Sequence, residues 1–252
     1  MVYLVEHFYS IQGEGKFVGT PSVFFRFGGC NLRCQDFGEY FVKGKIVYGC
    51  DTVRAVNKEI FQNEWKRIEN EKVLIEILDD YIENLDFKPH IVITGGEPMI
   101  YATDSIFYKF IQYLVNNDFI VTIETNATIK VDIEKFSAYK DVIFAMAVKL
   151  SNSGEPYDKR VNKEVIKEYI NNTSYSFFKF TLDRGIIERR AFEEIVDIVE
   201  PYPEAEIFCM PLGDKQDIIK KHDKAVAEFC LIYGFIYSDR LHVRLWNREK
   251  KR

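Results

Sequence analysis

Cys30, Cys34 and Cys50 are the residues whose type and spacing point most directly to chemistry, three thiols within 21 residues of a 252-residue chain. Cys30 and Cys34 form a C-x3-C pair. The position that would complete a C-x3-C-x2-C triplet is Phe37, so a third thiol has to come from Cys50, after 15 intervening residues. Residues 40–48, YFVKGKIVY, read as a small hairpin around Lys43-Gly44-Lys45, and a hairpin brings its ends together, which would return Cys50 toward Cys34. Three thiolates suit a four-iron, four-sulfur cluster with one iron open to an outside ligand, whereas structural zinc normally closes with four protein ligands. His7 and His90 could close a zinc site, and unligated cysteines are the third reading. Cys209 and Cys230 sit in apolar runs and read as small core hydrophobes.

Further groups suited to ligand binding follow apolar runs. Thr94-Gly95-Gly96-Glu97-Pro98 comes directly after HIVI, where two glycines let the backbone approach a ligand and Glu97 offers a carboxylate. Glu124-Thr125-Asn126-Ala127-Thr128, then Lys149, Ser151 and Ser153, then Met210-Pro211-Leu212-Gly213-Asp214 repeat the pattern. Polar and glycine residues after successive strands describe one pocket rim, as βα loops do in barrel enzymes.

The elements that must position these groups alternate. Strands are expected over 22–27, 90–94, 119–124, 141–147, 176–182 and 205–210, and helices over 71–86, 104–117, 131–138, 162–171, 187–199 and 215–233. Such alternation implies βαβ crossovers and a mostly parallel sheet, here an open, partial (βα)6-type barrel with ligands beyond the carboxyl ends of the strands. Residues 53–70, with Phe61 and Trp65, read as a helical segment of an insertion spanning about 36–70, and no linker divides the chain, so 1–252 is expected to be a single domain.

Composition sets the outer limits. At 47% hydrophobic and 29% charged residues the chain can bury a sizeable core. A net charge of -5 and a pI near 5.6 argue against nucleic-acid binding, which needs clustered Lys and Arg, and favour a small-molecule substrate. The basic end, 248–252, reads as a solvated tail. The start, MVYLVEHFYSIQGEG, lacks the pattern of a signal peptide, and no apolar run approaches the ~20 residues needed to span a bilayer. A cytoplasmic, reduced protein is expected, where clustered thiols hold metal more often than they form disulfides.

With these residues placed, the chain resembles the radical S-adenosylmethionine (SAM) enzymes, and among them the 7-carboxy-7-deazaguanine synthases. The resemblance covers nearly the full length: FYSIQGEG (8–15), GTPSVFFR (19–26), GGCNLRC (28–34), Cys50-Asp51-Thr52, TGGEP (94–98), ETNAT (124–128), KLSNSG (149–154) and RLHVRLW (240–246). It implies a cluster on Cys30, Cys34 and Cys50 and a magnesium ion on Thr52. It further implies SAM contacts from Gly95, Gly96, Glu97, Glu124, Lys149, Ser151, Met210 and Pro211, and a pterin substrate among Gln12, Gly13, Glu14, Arg26, Thr94 and His242. The implied reaction is conversion of 6-carboxy-5,6,7,8-tetrahydropterin to 7-carboxy-7-deazaguanine with loss of ammonia, in a homodimer served by a flavodoxin-like or ferredoxin-like electron donor. A radical SAM activase acting on a partner protein and a zinc-stabilised binding module are the alternatives. Read without the resemblance, Arg26 pairs with Glu14, His242 is a satisfied core histidine, and Gln12 and Glu14 are turn residues. Two departures stand out: Ala127 where the family has Gly, and Ala147-Val148-Lys149 where many members have Ser-Pro-Lys.

Overall fold

The computed structural model describes residues 1–247 and 249, so most of the basic end (248 and 250–252) lies outside the described residues. In chain order the chain forms β1 (Val2–Ile11), β2 (Pro21–Phe27), β3 (Glu39–Val42), β4 (Lys45–Tyr48), α1 (Val53–Val56), α2 (Lys58–Phe61), β5 (Lys66–Ile68), α3 (Lys72–Ile82), β6 (His90–Gly95), α4 (Ser105–Asn116), β7 (Val121–Thr125), β8 (Ile143–Met146), α5 (Tyr157–Arg160) and α6 (Lys163–Asn172). It continues through β9 (Tyr175–Leu182), α7 (Arg184–Ile187), α8 (Ala191–Val199), β10 (Ile207–Pro211), α9 (Gln216–Tyr233), β11 (Ile236–Tyr237) and α10 (Leu241–Trp246). Nine strands make one sheet in the order β11-β10-β9-β8-β7-β6-β2-β1-β5. From β2 to β11 every pairing is parallel, and only β1 runs antiparallel, against both β2 and β5.

All six expected strands are present within a few residues, and the sheet is a partial, open parallel barrel. Every residue of β6 is buried, as a parallel strand covered on both faces must be. Alternation along the strands separates two environments. Ile91, Ile93, Ile123, Phe178 and Phe180 join the main core with residues of the flanking helices. Their neighbours face the other way, where Phe8, Phe24 and Val92 form one small apolar cluster and Ala145, Phe177 and Phe208 another. Two residues further along the same strands stand Arg26, Thr94, Ala147, Lys179 and Met210, all lining one cavity. The barrel is thus plugged by apolar side chains and polar toward its carboxyl end.

The structure corrects three expectations. Residues 2–11 form a long strand where none is expected from the sequence, because Glu6, His7 and Ser10 obscure the alternation of a strand with one partly open face. The helix expected over 131–138 is not formed. Asp132 Oδ1 accepts from Lys135 N (3.0 Å), a local turn that competes with helix, and a 3-10 turn follows at Ser137–Asp141. Segment 53–70 is only partly helical. Asn57 ends α1 and caps α2 by accepting from Ile60 N, and Lys66–Ile68 then joins the sheet as β5. The 40–48 hairpin is present as β3 and β4.

Candidate active site

At the carboxyl ends of β2 and β6 two loops are fastened together. Gly96 N donates to Phe27 O (3.1 Å) and Glu97 N to Gly29 O (2.8 Å). The approach leaves no room for side chains: a Cβ on Gly95, whose φ is +141°, would lie 2.0 Å from Phe27 O, and one on Gly96 would lie 2.2 Å from Gly29 O and 3.0 Å from Cys30 Cβ. The Gly95-Gly96 turn is therefore seated directly on the cysteine loop.

Glu97 is fully buried, and its carboxylate accepts from Met99 N (3.0 Å), Thr125 Oγ1 (2.8 Å) and Asn126 N (2.6 Å). Burial raises its pKa to about 7, against the lowering effect of those hydrogen bonds. Its observed work is to tie the loop after β6 to the loop after β7, where Asn126 in turn donates to Asn31 beside Cys30 (2.9 Å). One carboxylate thereby fixes three loops around the same opening.

Cys30, Cys34 and Cys50 all line one cavity of about 1110 Å³. Burial pushes the Cys34 thiol up to about 12 and raises those of Cys30 and Cys50. Mutual repulsion adds to it: Cys50 raises both Cys30 and Cys34, and Cys34 raises Cys30. Thiols that would gain from a cation to stabilise their thiolates are what a metal cluster requires. Among the described residues no group of three or more His, Cys, Asp or Glu is arranged to hold a metal ion. A four-iron cluster with one open iron needs only three protein thiols, whereas structural zinc normally closes with four protein ligands, so the three thiols that line this cavity suit the cluster better. His90 is turned elsewhere: it shares a hydrogen bond with Thr122 Oγ1 (2.8 Å), packs edge-on against Phe17, and has its pKa lowered by burial to about 4. His7 lines the cavity and shares a hydrogen bond with Tyr81 OH (2.9 Å). Cys209 and Cys230 are buried in the main core, as expected. Thr52 also lines the cavity, with Oγ1 3.1 Å from Cys50 Sγ.

The floor of the cavity is a buried network of charges. Glu14 Oε2 accepts from Lys179 Nζ (2.9 Å), while Oε1 accepts from Arg240 Nε (2.9 Å), forms an ion pair with its Nη2 (2.8 Å) and lies 4.0 Å from His242 Nε2. Burial alone would raise the Glu14 pKa, but Lys179, Arg240 and His242 outweigh it and hold the carboxyl well below its usual range. Arg240 also pairs with Asp51, so the residue before Thr52 is tied to the same network, and this ion pair keeps the Asp51 pKa low despite burial. Glu124 accepts from Lys179 (2.9 Å), Thr94 Oγ1 (2.8 Å) and Gln12 Nε2 (3.4 Å). Gln12 Oε1 accepts from Gly13 N (2.8 Å) and Glu14 N (3.2 Å), which sets the turn after β1.

Arg26 pairs with Glu6 through Nε (2.9 Å) rather than with Glu14, since β1 and β2 place Glu6 directly opposite it. His242 packs on Gly13, where a Cβ would lie 2.0 Å from Nδ1, and burial lowers its pKa, favouring the neutral ring. The cavity thus brings together Gln12, Gly13, Glu14, Arg26, Thr94, His242, Gly95, Gly96, Glu124, Lys149 and Met210 with the thiols and Thr52. Glu97, Ser151 and Pro211 are not among its lining residues, and Ser151 N instead donates to Glu194 (2.8 Å). Sequence reasoning missed Lys179, Arg240 and Glu6. Lys179 had one available signal, a lone cation alternating with Phe178 and Phe180 in an otherwise apolar strand.

No family model matches the chain. It is similar to curated 7-carboxy-7-deazaguanine synthases. That of Halobacterium salinarum is 26% identical over 255 residues, covering 96% of this chain and 89% of the relative. That of Rhodopirellula baltica is 28% identical over 250 residues, covering 97% and 86%. That of Rickettsia prowazekii is 32% identical over 188 residues, covering 75% and 64%. Among solved structures, QueE from Escherichia coli superposes with a TM-score of 0.63 at 22% identity, covering 96% of this chain and 94% of that one. Streptococcus suis SuiB bound to S-adenosylmethionine superposes at 0.54 with 14% identity, covering 84% and 48%. These likenesses show the fold, a partial, open barrel with a mostly parallel sheet.

Proposed function

We propose that this chain, a relative of the 7-carboxy-7-deazaguanine synthases, converts 6-carboxy-5,6,7,8-tetrahydropterin to 7-carboxy-7-deazaguanine with loss of ammonia. The observation that carries this reading is a single cavity with three thiols on its rim and the Gln12–Glu14–Arg26–Thr94–Glu124–His242 set on its floor. Cys30, Cys34 and Cys50 would hold a four-iron, four-sulfur cluster and Thr52 a magnesium ion, whose preference for oxygen suits a hydroxyl supplemented by water or substrate oxygens. When bound and reduced, the cluster supplies the electron that cleaves SAM and so generates the radical that abstracts hydrogen from the substrate.

The rest falls to the chain's own groups. Arg26 commits Nε to Glu6, and its two Nη groups have no protein partner among the described residues, a geometry suited to bidentate capture of the pterin carboxylate. Glu14 Oε2 accepts one hydrogen bond, from Lys179, and so retains an acceptor site for the guanidine-like edge of the pterin. Gln12 and Gly13 fix the turn that presents it, with neutral His242 alongside. On the other side, Gly95 and Gly96 offer close backbone approach to the methionine end of SAM, with Glu124, Lys149 and Met210 lining its remaining surface. Glu97 acts one layer back, by fixing the loop that presents those glycines. Ser151 and Pro211, assigned to SAM by the resemblance, would support the cofactor's surroundings from outside the cavity wall. A flavodoxin-like or ferredoxin-like donor, a homodimeric state and a cytoplasmic location belong to the same reading. No described helix is long and apolar enough to cross a membrane.

The test is to purify the protein anaerobically, measure its metal content, reconstitute and reduce it, and supply SAM, magnesium and carboxytetrahydropterin. The deazaguanine product should form and should depend on magnesium. Absence of product from a protein that holds its cluster and cleaves SAM would sink the synthase reading. Stoichiometric zinc with no iron would favour the binding module instead.

A further inference from the structure

Lys179 lies on β9 between Phe178 and Phe180, both of which enter the main core, so alternation turns its four-carbon side chain toward the cavity. There it is 3% exposed, with Nζ 2.9 Å from Glu14 Oε2 and 2.9 Å from Glu124 Oε1. In the proposed reading Glu14 serves the pterin and Glu124 the SAM, and Glu124 also accepts from Thr94 and Gln12 of the pterin set. Without a cation between them, two carboxylates this close in a buried space repel, and one takes up a proton or swings away. We infer that Lys179 is a positioning residue for the reaction: its ammonium joins Glu14 and Glu124 and holds both carboxylates aimed into the cavity, coupling the pterin contacts to the SAM contacts.

The inference rests on the synthase reading and adds to it a residue that acts through Glu14 and Glu124. A lysine that only filled the barrel would leave ligand affinity unchanged once the fold was intact. A lysine that holds Glu14 for the substrate should lose its effect when Glu14 has already been neutralised. Double-mutant logic separates the two.

The experiment titrates carboxytetrahydropterin anaerobically into reconstituted, magnesium-loaded protein by calorimetry, with thermal unfolding recorded for each variant. Lys179→Met should weaken pterin binding about 30-fold, the loss expected for one charge-assisted hydrogen bond. Lys179→Arg, which keeps the charge, should recover most of it. Glu14→Gln should bind the pterin weakly, and Lys179→Met/Glu14→Gln no more weakly than Glu14→Gln. This last comparison leaves only Glu124 without its ammonium partner, still held by Thr94 and Gln12, and it decides the matter even where Lys179→Met alone fails to fold. Pterin affinity of Lys179→Met within about threefold of wild type, or losses that multiply in the double variant, would overturn the inference while leaving the synthase reading intact. Wild-type protein that does not bind the pterin would overturn both.

Discussion

The rim and the floor of the cavity differ in how much chain separates the residues that make them. Cys30, Cys34 and Cys50 belong to one loop after β2. On the floor, Glu14 is 165 residues from Lys179 and 226 from Arg240, and Arg240 is 189 from Asp51. The rim cysteines are therefore brought together by local chain geometry, with the β3–β4 hairpin returning Cys50 toward Cys34 and the loops after β6 and β7 seating Cys30, while the floor exists only when β1, β9 and the start of α10 have all reached their places. A rim residue can lose its chemistry without loss of fold, whereas a floor residue carries both.

The largest expected effect is on the rim. Cys50→Ala should lose cluster iron as completely as Cys30→Ala, with activity abolished and the unfolding midpoint of the cluster-free protein little changed. Iron assay, cluster spectrum and thermal unfolding read this together. Full iron content and activity in Cys50→Ala would remove Cys50 from the ligand set. A collapse of the cluster-free fold would erase the contrast between rim and floor.

Glu14→Gln tests the floor. The amide cannot balance the charges of Lys179 and Arg240, and removing one partner of a buried ion pair costs about 3 kcal/mol or more. Denaturant unfolding should show this loss in the cluster-free protein, and pterin affinity should fall with it. Iron incorporation should change far less than in Cys50→Ala. Stability within about 0.5 kcal/mol of wild type would mean that the floor is no better buried than a surface pair, for which that is the usual scale.

His90 lies below the floor and adds a pH dependence of its own, in the same direction as that of His242. It is neutral in the folded state down to about pH 4, against an ordinary 6.5, because burial disfavours its charged form. A depressed pKa of this kind contributes stability that is fully present above 6.5 and is lost as pH falls from there toward 4. His90→Asn, which can keep a hydrogen bond to Thr122 without titrating, should flatten the acid limb by up to about 1.4 kcal/mol per pH unit relative to wild type. The comparison needs denaturant midpoints for both proteins at several pH values between 5 and 7. Parallel limbs would show that His90 is solvated and titrates normally.

The same contrast governs what the sequence disclosed. Six of the seven parallel strands, all but the two-residue β11, were legible because each is a short apolar run bounded by turn residues, and the rim was legible because its cysteines are near neighbours. β1 was not, since Glu6 and His7 interrupt its alternation for reasons visible only across the sheet: Glu6 pairs with Arg26 and His7 shares a hydrogen bond with Tyr81. Lys179 and Arg240 were not, because a cation in an apolar strand or before a short helix announces nothing until its distant carboxylates are known. Glu97 was assigned to SAM from its motif, while its three protein donors come from loops that sequence cannot bring together.

Ala127 offers the smallest and most exacting test, because it asks whether the loop after β7 has the backbone on which the rim depends. Ala127 has φ +58°, in the left-handed region, and is buried with its N–H donating to Thr125 Oγ1 (3.1 Å). An alanine there costs about 1–2 kcal/mol relative to an unstrained backbone, a cost that glycine largely escapes. Against that gain, Ala127→Gly loses about 0.8 kcal/mol of buried methyl and about 0.4–1 kcal/mol through a freer unfolded chain. These contributions nearly cancel, so stability should stay within about 0.5 kcal/mol of wild type and the thermal midpoint within about 2 °C. SAM affinity should be unchanged if the three hydrogen bonds to Glu97 hold the loop regardless of the side chain at 127. A loss above about 2 kcal/mol could not come from a left-handed residue giving way to glycine. It would mean that the methyl rather than the backbone conformation fixes Asn126, and through it the seating of Asn31 beside Cys30.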